Sequence, residues 1–211
     1  MRYRIVVTSR RRRLSAHDWA EAALEALGTG GVAAVAIEPL AVRLGTTKGS
    51  FYAHYANREA LVSAALTLWE QRSTEAAIST LETEPDPEAR LRRLLTQAAR
   101  RAGQNLSETN IMASAGHEPV AAVVRRVMQR RVQYLVSLFE QVGFPRTEAV
   151  HRAALAHTAY VGLIEMMARL PGALPIDSPG ATAGYVESVV ALLLHRTGGG
   201  DPQEKPEGLL P

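Results

Sequence analysis

Apolar residues recur at helical spacing along most of this chain, and no stretch shows the convincing alternation that is typical of a β-strand. The first pattern follows an N-cap at Ser15 and stops at Gly28. Later patterns begin at a capping residue or a proline, as at Asn57, Asp86 and Pro119. We predict an all-α fold of about nine helices, at residues 16–27, 36–44, 47–55, 58–82, 87–102, 108–115, 119–142, 147–170 and 179–197.

The second and third predicted helices have the spacing of a helix-turn-helix motif, with a tight turn at Gly45. In such a motif the second helix enters the major groove of DNA, and its first residues lie at the base edges. These positions hold small polar or cationic side chains, and a glycine that lets the backbone approach a base closely. They are Thr46, Thr47, Lys48, Gly49 and Ser50.

The same short helix carries aromatic side chains on different faces. Phe51 and Tyr55 are four residues apart, so they share a face that we predict packs on the core. Tyr52 and His54 lie on other faces, where a hydroxyl and a ring N–H can reach DNA phosphates; taken alone, both fit packing or surface roles more simply. The N-terminus of the next helix, at Arg58, also suits an anion because of its free N–H groups and dipole.

Basic residues are concentrated at the start of the chain. The formal net charge is +3, with 24 Lys and Arg against 21 Asp and Glu, but the first sixty residues hold nine basic and five acidic residues. This asymmetry indicates a polyanionic partner for the basic part, and a solvated basic tail is the alternative. The candidates for phosphate contact or minor-groove binding are Arg10, Arg11, Arg12 and Arg13, with Arg43 in the second helix.

The stretch GTTKGSFYAHYANREAL, Gly45 to Leu61, resembles the signature of the TetR family of bacterial transcriptional regulators, which runs roughly G-V-S-x-G-T-L/F-Y-x-H/Y-F-x-N/S-K-E-x-L. The resemblance covers about residues 14–66. It implies a homodimer whose N-terminal domain binds a palindromic operator in double-stranded DNA. It also implies a larger C-terminal helical domain, which binds a small-molecule inducer and dimerises through its last two helices.

The resemblance assigns roles within the motif and divides the chain. It implies that Thr47, Lys48 and Ser50 face bases, and that Tyr52 and His54 contact phosphate. We expect a basic arm, a helix-turn-helix DNA-binding domain, a ligand-binding and dimerisation domain and a disordered tail, at residues 1–13, 14–61, 62–197 and 198–211.

Two positions depart from the family pattern. Arg58 stands where the family usually has lysine, so the charge is kept but a planar fork replaces a point charge. Ala36 stands where many members have a threonine that caps the second helix and touches phosphate. Alanine cannot cap, so we expect Arg43 or the arginine arm to supply that phosphate contact.

The C-terminal half offers adaptable and amphipathic side chains for an apolar or aromatic ligand. At helical spacing such residues are more often core than pocket. The candidates are Trp69, Met112, His117, Tyr134, His157, Tyr160, Met166 and Met167. The small apolar residues of the last two predicted helices favour close pairing in a dimer.

Several classes of chemistry have no signal in this sequence. The chain has no cysteine, which excludes disulfides, and no apolar run long enough to span a bilayer. We expect a cytoplasmic protein with no metal, no cofactor and no membrane partner, because no metal-binding or catalytic motif is present. The leading hypothesis is a ligand-responsive repressor; the alternatives are a hydrolase-like helical enzyme using His117 or His157, and an adaptor whose early helices bind protein.

Overall fold

The computed structural model describes residues 14–102, 106–176 and 178–196, and all the regular structure in these ranges is helical. A π-helical turn at Gln71–Glu75 joins the helices Arg58–Glu70 and Ala76–Leu81 without a break, so the described residues form nine continuous helices, as predicted. The predicted arm and tail lie outside the described residues. The α-helices are α1 (Ala16–Gly30), α2 (Ile37–Arg43), α3 (Lys48–Tyr52), α4 (Arg58–Glu70), α5 (Ala76–Leu81), α6 (Pro87–Ala102), α7 (Leu106–Ala113), α8 (Glu118–Val142), α9 (Arg146–Arg169) and α10 (Pro179–Leu194).

The predicted capping residues begin and end these helices. The Ser15 hydroxyl accepts the backbone N–H of Asp18 at 3.3 Å, and the Asp18 carboxylate accepts the N–H of Ser15 at 2.7 Å, which completes a capping box on α1. Asn57 and Asp86 each accept the N–H three residues further on, at 2.8 Å and 2.9 Å. Gly143 ends α8 with a φ of 104°, a left-handed conformation that favours glycine.

The prediction that α1 ends at Gly28 is wrong. The helix continues to Gly30, and Gly31, with a φ of 65°, forms the cap. A Cβ added at Gly28 would lie 2.3 Å from the hydroxyl oxygen of Ser107 in α7. Gly28 is therefore the place where α7 packs directly on the α1 backbone, and Ser107 belongs to a helix where the sequence predicted a break.

The core of the N-terminal helices extends into the C-terminal half. Trp19 of α1 and Phe51 of α3 belong to one buried cluster that also contains Ile111 of α7 and Val120 of α8. A second cluster joins α5, α6, α8, α9 and α10, and a third joins α6, α9 and α10. Because the first core is shared, a change in the position of α7 or α8 alters the packing of the helix-turn-helix.

Candidate DNA-binding surface and effector cavity

Helix α3 is fixed to α1 through aromatic packing. Phe51 is fully buried, and its ring meets Trp19 edge-on with centroids 5.4 Å apart. Tyr55 stacks on the other side of Phe51 at 5.9 Å, and its hydroxyl donates to the carbonyl of Ala16 at 2.8 Å. This is the core-facing side that the spacing of Phe51 and Tyr55 predicted, and it sets the angle at which α3 projects.

The opposite side of α3 is open to solvent. We call residues 47–50 and Tyr52 the reading surface; Tyr52 is 55% exposed, Ser50 is half-buried, and the other members are exposed. A Cβ added at Gly49 would meet nothing closer than 3.6 Å, so packing within the described residues does not require a glycine there. Thr46 is half-buried, and its N–H is bonded to a carbonyl of α2.

Two of the predicted DNA-contacting cations have partners within the domain. The Lys48 ammonium lies 3.0 Å from the Glu38 carboxylate, whose hydrogen bond raises the pKa of the exposed lysine. Arg43 turns back onto α1, where it donates to the carbonyl of Ala22 and lies 3.1 Å from Glu25. Lys48 remains on the reading surface, whereas Arg43 is directed toward α1.

The side chains predicted to grip phosphate beside α3 are also engaged. His54 donates from Nε2 to the carbonyl of Leu14 at 3.0 Å, which leaves only Nδ1 for another partner. The Arg58 fork donates to the carbonyl of Val35 at 2.6 Å and to that of Val32. These carbonyls belong to the connection between α1 and α2, where few helical N–H groups are available as hydrogen-bond donors. Arg58 therefore stabilises that connection. Ala36 at the N-cap of α2 provides no side-chain hydrogen bond, as expected.

The C-terminal half contains a cavity of about 830 Å³, counting the solvent space at its opening, between α5, α6, α8 and α9, with Glu108 of α7 and the π-helical turn also in its lining. Three predicted ligand-binding residues, Tyr134, His157 and Tyr160, line it. Its wall is mostly apolar: Ala77, Ile78, Leu81, Leu94, Leu95, Ala98, Leu135 and Ala156. A mostly apolar wall with a few polar side chains suits a small organic molecule.

The remaining predicted ligand residues do not line this cavity. Trp69 is buried in the first core, with its ring 5.6 Å from the Arg131 guanidinium. Met112 and Met167 pack against the third cluster, and Met166 is half-buried elsewhere on α9. His117 is the exposed N-cap residue of α8. Helical spacing alone does not distinguish core methionines from cavity methionines.

One end of the cavity is polar, and sequence reasoning missed its central pair. Arg131 of α8 forms an ion pair with the buried carboxylate of Glu108 in α7, which also accepts the Tyr160 hydroxyl at 3.3 Å. The same guanidinium donates to the hydroxyls of Thr74 at 3.0 Å and Ser73 at 3.1 Å, both on the π-helical turn. The widened turn thus directs two hydroxyls to Arg131.

Three titratable residues of the cavity, His157, Tyr160 and Tyr134, are held in their neutral forms. Burial, and then the charge of Arg131, lowers the pKa of His157, whose Nε2 lies 3.0 Å from the sulfur of Met128. Burial raises the pKa of Tyr160, and the Glu108 carboxylate raises it further. Burial also raises the pKa of Tyr134 to about 12. These residues therefore offer shape and neutral polarity, without a group poised for proton transfer near neutral pH.

Helix α7 connects the cavity to the DNA-binding helices. It carries Glu108 at the cavity, and two residues further on Asn110 donates to the carbonyl of Gly28 at 2.8 Å. Ser114 donates to the carbonyl of Asn110 at 2.9 Å and accepts the N–H of Val32 at 3.2 Å. Val32 is therefore held on its N–H by Ser114 and on its carbonyl by Arg58.

The described residues form an N-terminal helix-turn-helix domain followed by a larger helical domain with a cavity. Residues 20–65 match the family described as bacterial regulatory proteins, tetR family. This match identifies residues 20–65 as a TetR-family DNA-binding domain and confirms the resemblance carried by the α3 segment. No curated protein matches the chain.

Solved structures of transcriptional regulators share this fold. A regulator from Rhodococcus sp. Rha1 is 20% identical, with a TM-score of 0.70 over 86% of this chain and 96% of that one. AibR in complex with isovaleryl coenzyme A and operator DNA is 16% identical, with a TM-score of 0.56 over 84% and 96%. FadR, a fatty acid degradation regulator from Bacillus halodurans, is 14% identical, with a TM-score of 0.61 over 84% and 93%.

Other classes find no support in the described part of the chain. The family and its structural neighbours are transcriptional regulators, which are not enzymes. Within residues 14–102, 106–176 and 178–196, no group of three or more His, Asp and Glu side chains is placed to hold a metal ion. Among the helices in these ranges, none combines the length and apolar character that crossing a membrane requires.

Proposed function

We propose that this regulator is a repressor, released from a palindromic operator when a small molecule with an apolar or aromatic body fills the cavity. The observation that carries the proposal is the continuous hydrogen-bonded path along α7, from the Glu108 carboxylate in the cavity to the α1 backbone beside the helix-turn-helix. The structural neighbour AibR, solved with a coenzyme A thioester and operator DNA together, supports the view that this fold accommodates both partners.

On DNA, the reading surface enters the major groove. Lys48 and the small residues beside it contact base edges, after Lys48 exchanges its Glu38 partner for the DNA. Tyr52, the most exposed aromatic residue of α3, donates its hydroxyl to a phosphate. Two such surfaces in a dimer read half-sites about one helical turn apart, roughly 34–36 Å.

Most of the phosphate-binding charge then comes from the N-terminal arm. Residues 14–60 hold three basic residues against five acidic ones, and each of the three basic residues already has an internal partner. The arm contains Arg10 to Arg13, which are not balanced by any acidic residue within 1–13. Counterion release from DNA therefore depends mainly on the arm.

The dimer forms through α9 and α10. Leu155 of α9 and Leu192 of α10 are 60% and 73% exposed, so both helices present a large apolar side chain that a partner surface can cover. A second copy of the chain supplies that cover and brings two reading surfaces to one side. Replacement of Leu192 by Glu should convert the dimer to a monomer in light-scattering measurements and abolish operator binding.

Effector entry acts on the DNA-binding helices through two walls of the cavity. One wall is α7, which is bonded to α1 at Gly28 and to the turn at Val32. The other is the π-helical turn, which continues into α4 and so to Arg58. A ligand that favours a different spacing of these walls shifts the population toward a state in which the two reading surfaces no longer match the operator.

The test of the DNA-binding half uses DNA from upstream of the protein's own gene, measured across a salt series against random DNA. We expect Tyr52→Phe to weaken binding about equally for both DNAs, and Lys48→Ala to weaken binding and also relax the sequence preference. Equal affinity of the wild type for both DNAs would contradict the specific-regulator proposal. Equal behaviour of the two variants would contradict the assigned roles.

The test of the arm is the salt dependence of the same binding. The variant R10Q/R11Q/R12Q/R13Q should lower the slope of log affinity against log salt by about 0.9 for each phosphate that the arm no longer neutralises. Arg43→Gln serves as the matched control, because Arg43 is directed toward Ala22 and Glu25 and should leave the slope unchanged. The reverse result would place the phosphate contacts on α2 instead.

A further inference from the structure

We propose that the effector is an amphipathic carboxylate, held by the Arg101 guanidinium and the Gln97 amide while its apolar body fills the cavity. This inference rests on the proposed function, because it names the ligand class of the same cavity. It goes further than an apolar or aromatic body by assigning a charge, an orientation and two binding residues.

The two polar side chains lie on one face of α6. Gln97 and Arg101 are four residues apart, so they are neighbours on the helix surface, and both line the cavity. Neither makes a hydrogen bond or an ion pair with any residue in the described ranges. Arg101 is exposed and Gln97 is half-buried, which places the pair at the open end of the cavity.

This lack of partners separates Arg101 from the other arginine of the cavity. Arg131 directs its donors to Glu108, Thr74 and Ser73. Arg100, next to Arg101 on α6, is also unpaired in the described part of the chain, but it is exposed and does not line the cavity. Arg101 is thus a cavity-lining guanidinium without a hydrogen-bond or ion-pair partner among the described residues, and its charge acts on the pKa of the nearby Tyr160 hydroxyl.

The charges around the cavity favour an anion. Arg101 and Arg131 carry two positive charges against the single carboxylate of Glu108, and His157 is neutral because its pKa is lowered. A cationic ligand would meet two guanidinium groups whose one counter-charge is already engaged. An uncharged ligand would leave Arg101 and Gln97 unused. An anion at the open end balances the excess charge.

The shape of the polar pair favours a carboxylate among anions. A guanidinium fork presents coplanar N–H donors that match the two oxygens of a carboxylate, and an amide N–H beside it adds a further donor. Apart from this pair and the Arg131–Glu108 ion pair, the cavity wall is uncharged, and it includes Leu94 and Leu95 of the same helix and Ile78 of α5. A hydrocarbon chain or ring attached to the carboxylate would extend along this wall.

The experiment is direct calorimetric titration of the full chain with matched probes. Octanoate is compared with octanol, and phenylbutyrate with phenylbutanol, so that each pair differs mainly in the anionic group. We expect at least one carboxylate to bind, and to bind more tightly than its alcohol. Arg101→Gln should weaken carboxylate binding about 10- to 100-fold and leave the alcohol unchanged, since a hydrogen-bonded charge is removed. Arg100→Gln should change neither.

Three results would overturn the inference. They are binding of no carboxylate in the panel, equal affinity for acid and alcohol, and equal loss of affinity in Arg100→Gln and Arg101→Gln. Tighter binding of octyl phosphate than of octanoate would overturn the choice of a carboxylate. Failure here is distinguishable from failure of the proposed function, because sequence-specific DNA binding and its release by uncharged ligands are measured separately.

Discussion

Replacement of Glu108 by alanine should remove much of this protein's stability, although Glu108 lies in a short helix far from α3. Its side chain is 4% exposed, and that of its partner Arg131 is 14% exposed. Truncation would leave Arg131 without its counter-ion in a nearly water-free site, and the Tyr160 hydroxyl without its acceptor. Buried charges that lose a partner are strongly destabilising.

The size of the stability loss depends on the contacts that Arg131 retains when Glu108 is replaced. Breaking a buried pair by removing one partner costs about 3–5 kcal/mol in general. Here the guanidinium retains the Thr74 and Ser73 hydroxyls and the face of the Trp69 ring, and some water reaches it. We therefore expect a loss of about 2–4 kcal/mol in the free energy of unfolding, or roughly 6–12 °C in Tm for a chain of this size.

The assay is urea and thermal unfolding followed by circular dichroism, at one protein concentration because dimerisation contributes to stability. The double variant Glu108→Ala with Arg131→Met should be more stable than Glu108→Ala alone, since an apolar side chain replaces the orphaned charge. Glu165→Ala is the control, because Glu165 pairs with Arg169 at a partly exposed site of α9. It should cost no more than about 0.5 kcal/mol.

Two outcomes would refute the reasoning about Glu108. One is a loss no larger than that of Glu165→Ala, which would mean that Arg131 is solvated in solution. The other is a double variant whose loss equals the sum of the two single losses, which would mean that Glu108 and Arg131 are not coupled. Either outcome would also remove the ion pair from the proposed path along α7.

Two further predictions concern His157 and Arg58. Because the pKa of His157 is lowered in the fold, its contribution to the free energy of unfolding is fully present above the ordinary histidine pKa of about 6.5 and is lost as pH falls through the lowered value. His157→Gln should therefore reduce the fall in stability toward acidic pH, measured by urea unfolding at a series of pH values. An unchanged pH dependence of stability would contradict the assignment. Arg58→Lys should lower the free energy of unfolding by about 1–2 kcal/mol in urea unfolding, since one ammonium does not replace the two donors that the guanidinium directs to the carbonyls of Val32 and Val35; a variant as stable as the wild type would contradict this role.

Helix boundaries and the helix-turn-helix could be predicted because their signals are local. Capping side chains at Ser15 and Asn57 act within one turn, and the spacing of Phe51 and Tyr55 determines a shared face whatever lies opposite. The role of Gly28 could not be predicted in this way, because it depends on α7, about eighty residues away in the chain. A glycine near the end of a helix has the same local signature whether it caps the helix or admits a neighbour.

The cavity was harder to predict, because its polar end is assembled from side chains that are distant in sequence. Some of its lining residues, such as Tyr134 and Tyr160, were predicted from the sequence. One signal for the ion pair was available: Arg131 lies four residues after Val127 and four before Leu135, so a cation interrupts the buried face of α8. A charge at such a position predicts a buried partner, but it does not say that the partner is Glu108.

The partners of Arg58 and Arg131 together suggest how an effector contact could reach DNA. A shift of a two-state equilibrium from 1:99 to 99:1 requires about 5.5 kcal/mol of differential binding. One hydrogen-bonded carboxylate at Arg101 supplies about 1.5–3 kcal/mol, so it is insufficient alone. The remainder has to come from packing along the apolar wall and from contacts that differ between the two states. The π-helical turn at Arg131 and the Val32 turn at Arg58 lie at opposite ends of α4, and α7 reaches both through Glu108 and Ser114. Under the proposed function, a ligand that separates α7 from α4 would act on both ends of α4 at once and would shift the turn that leads into α2.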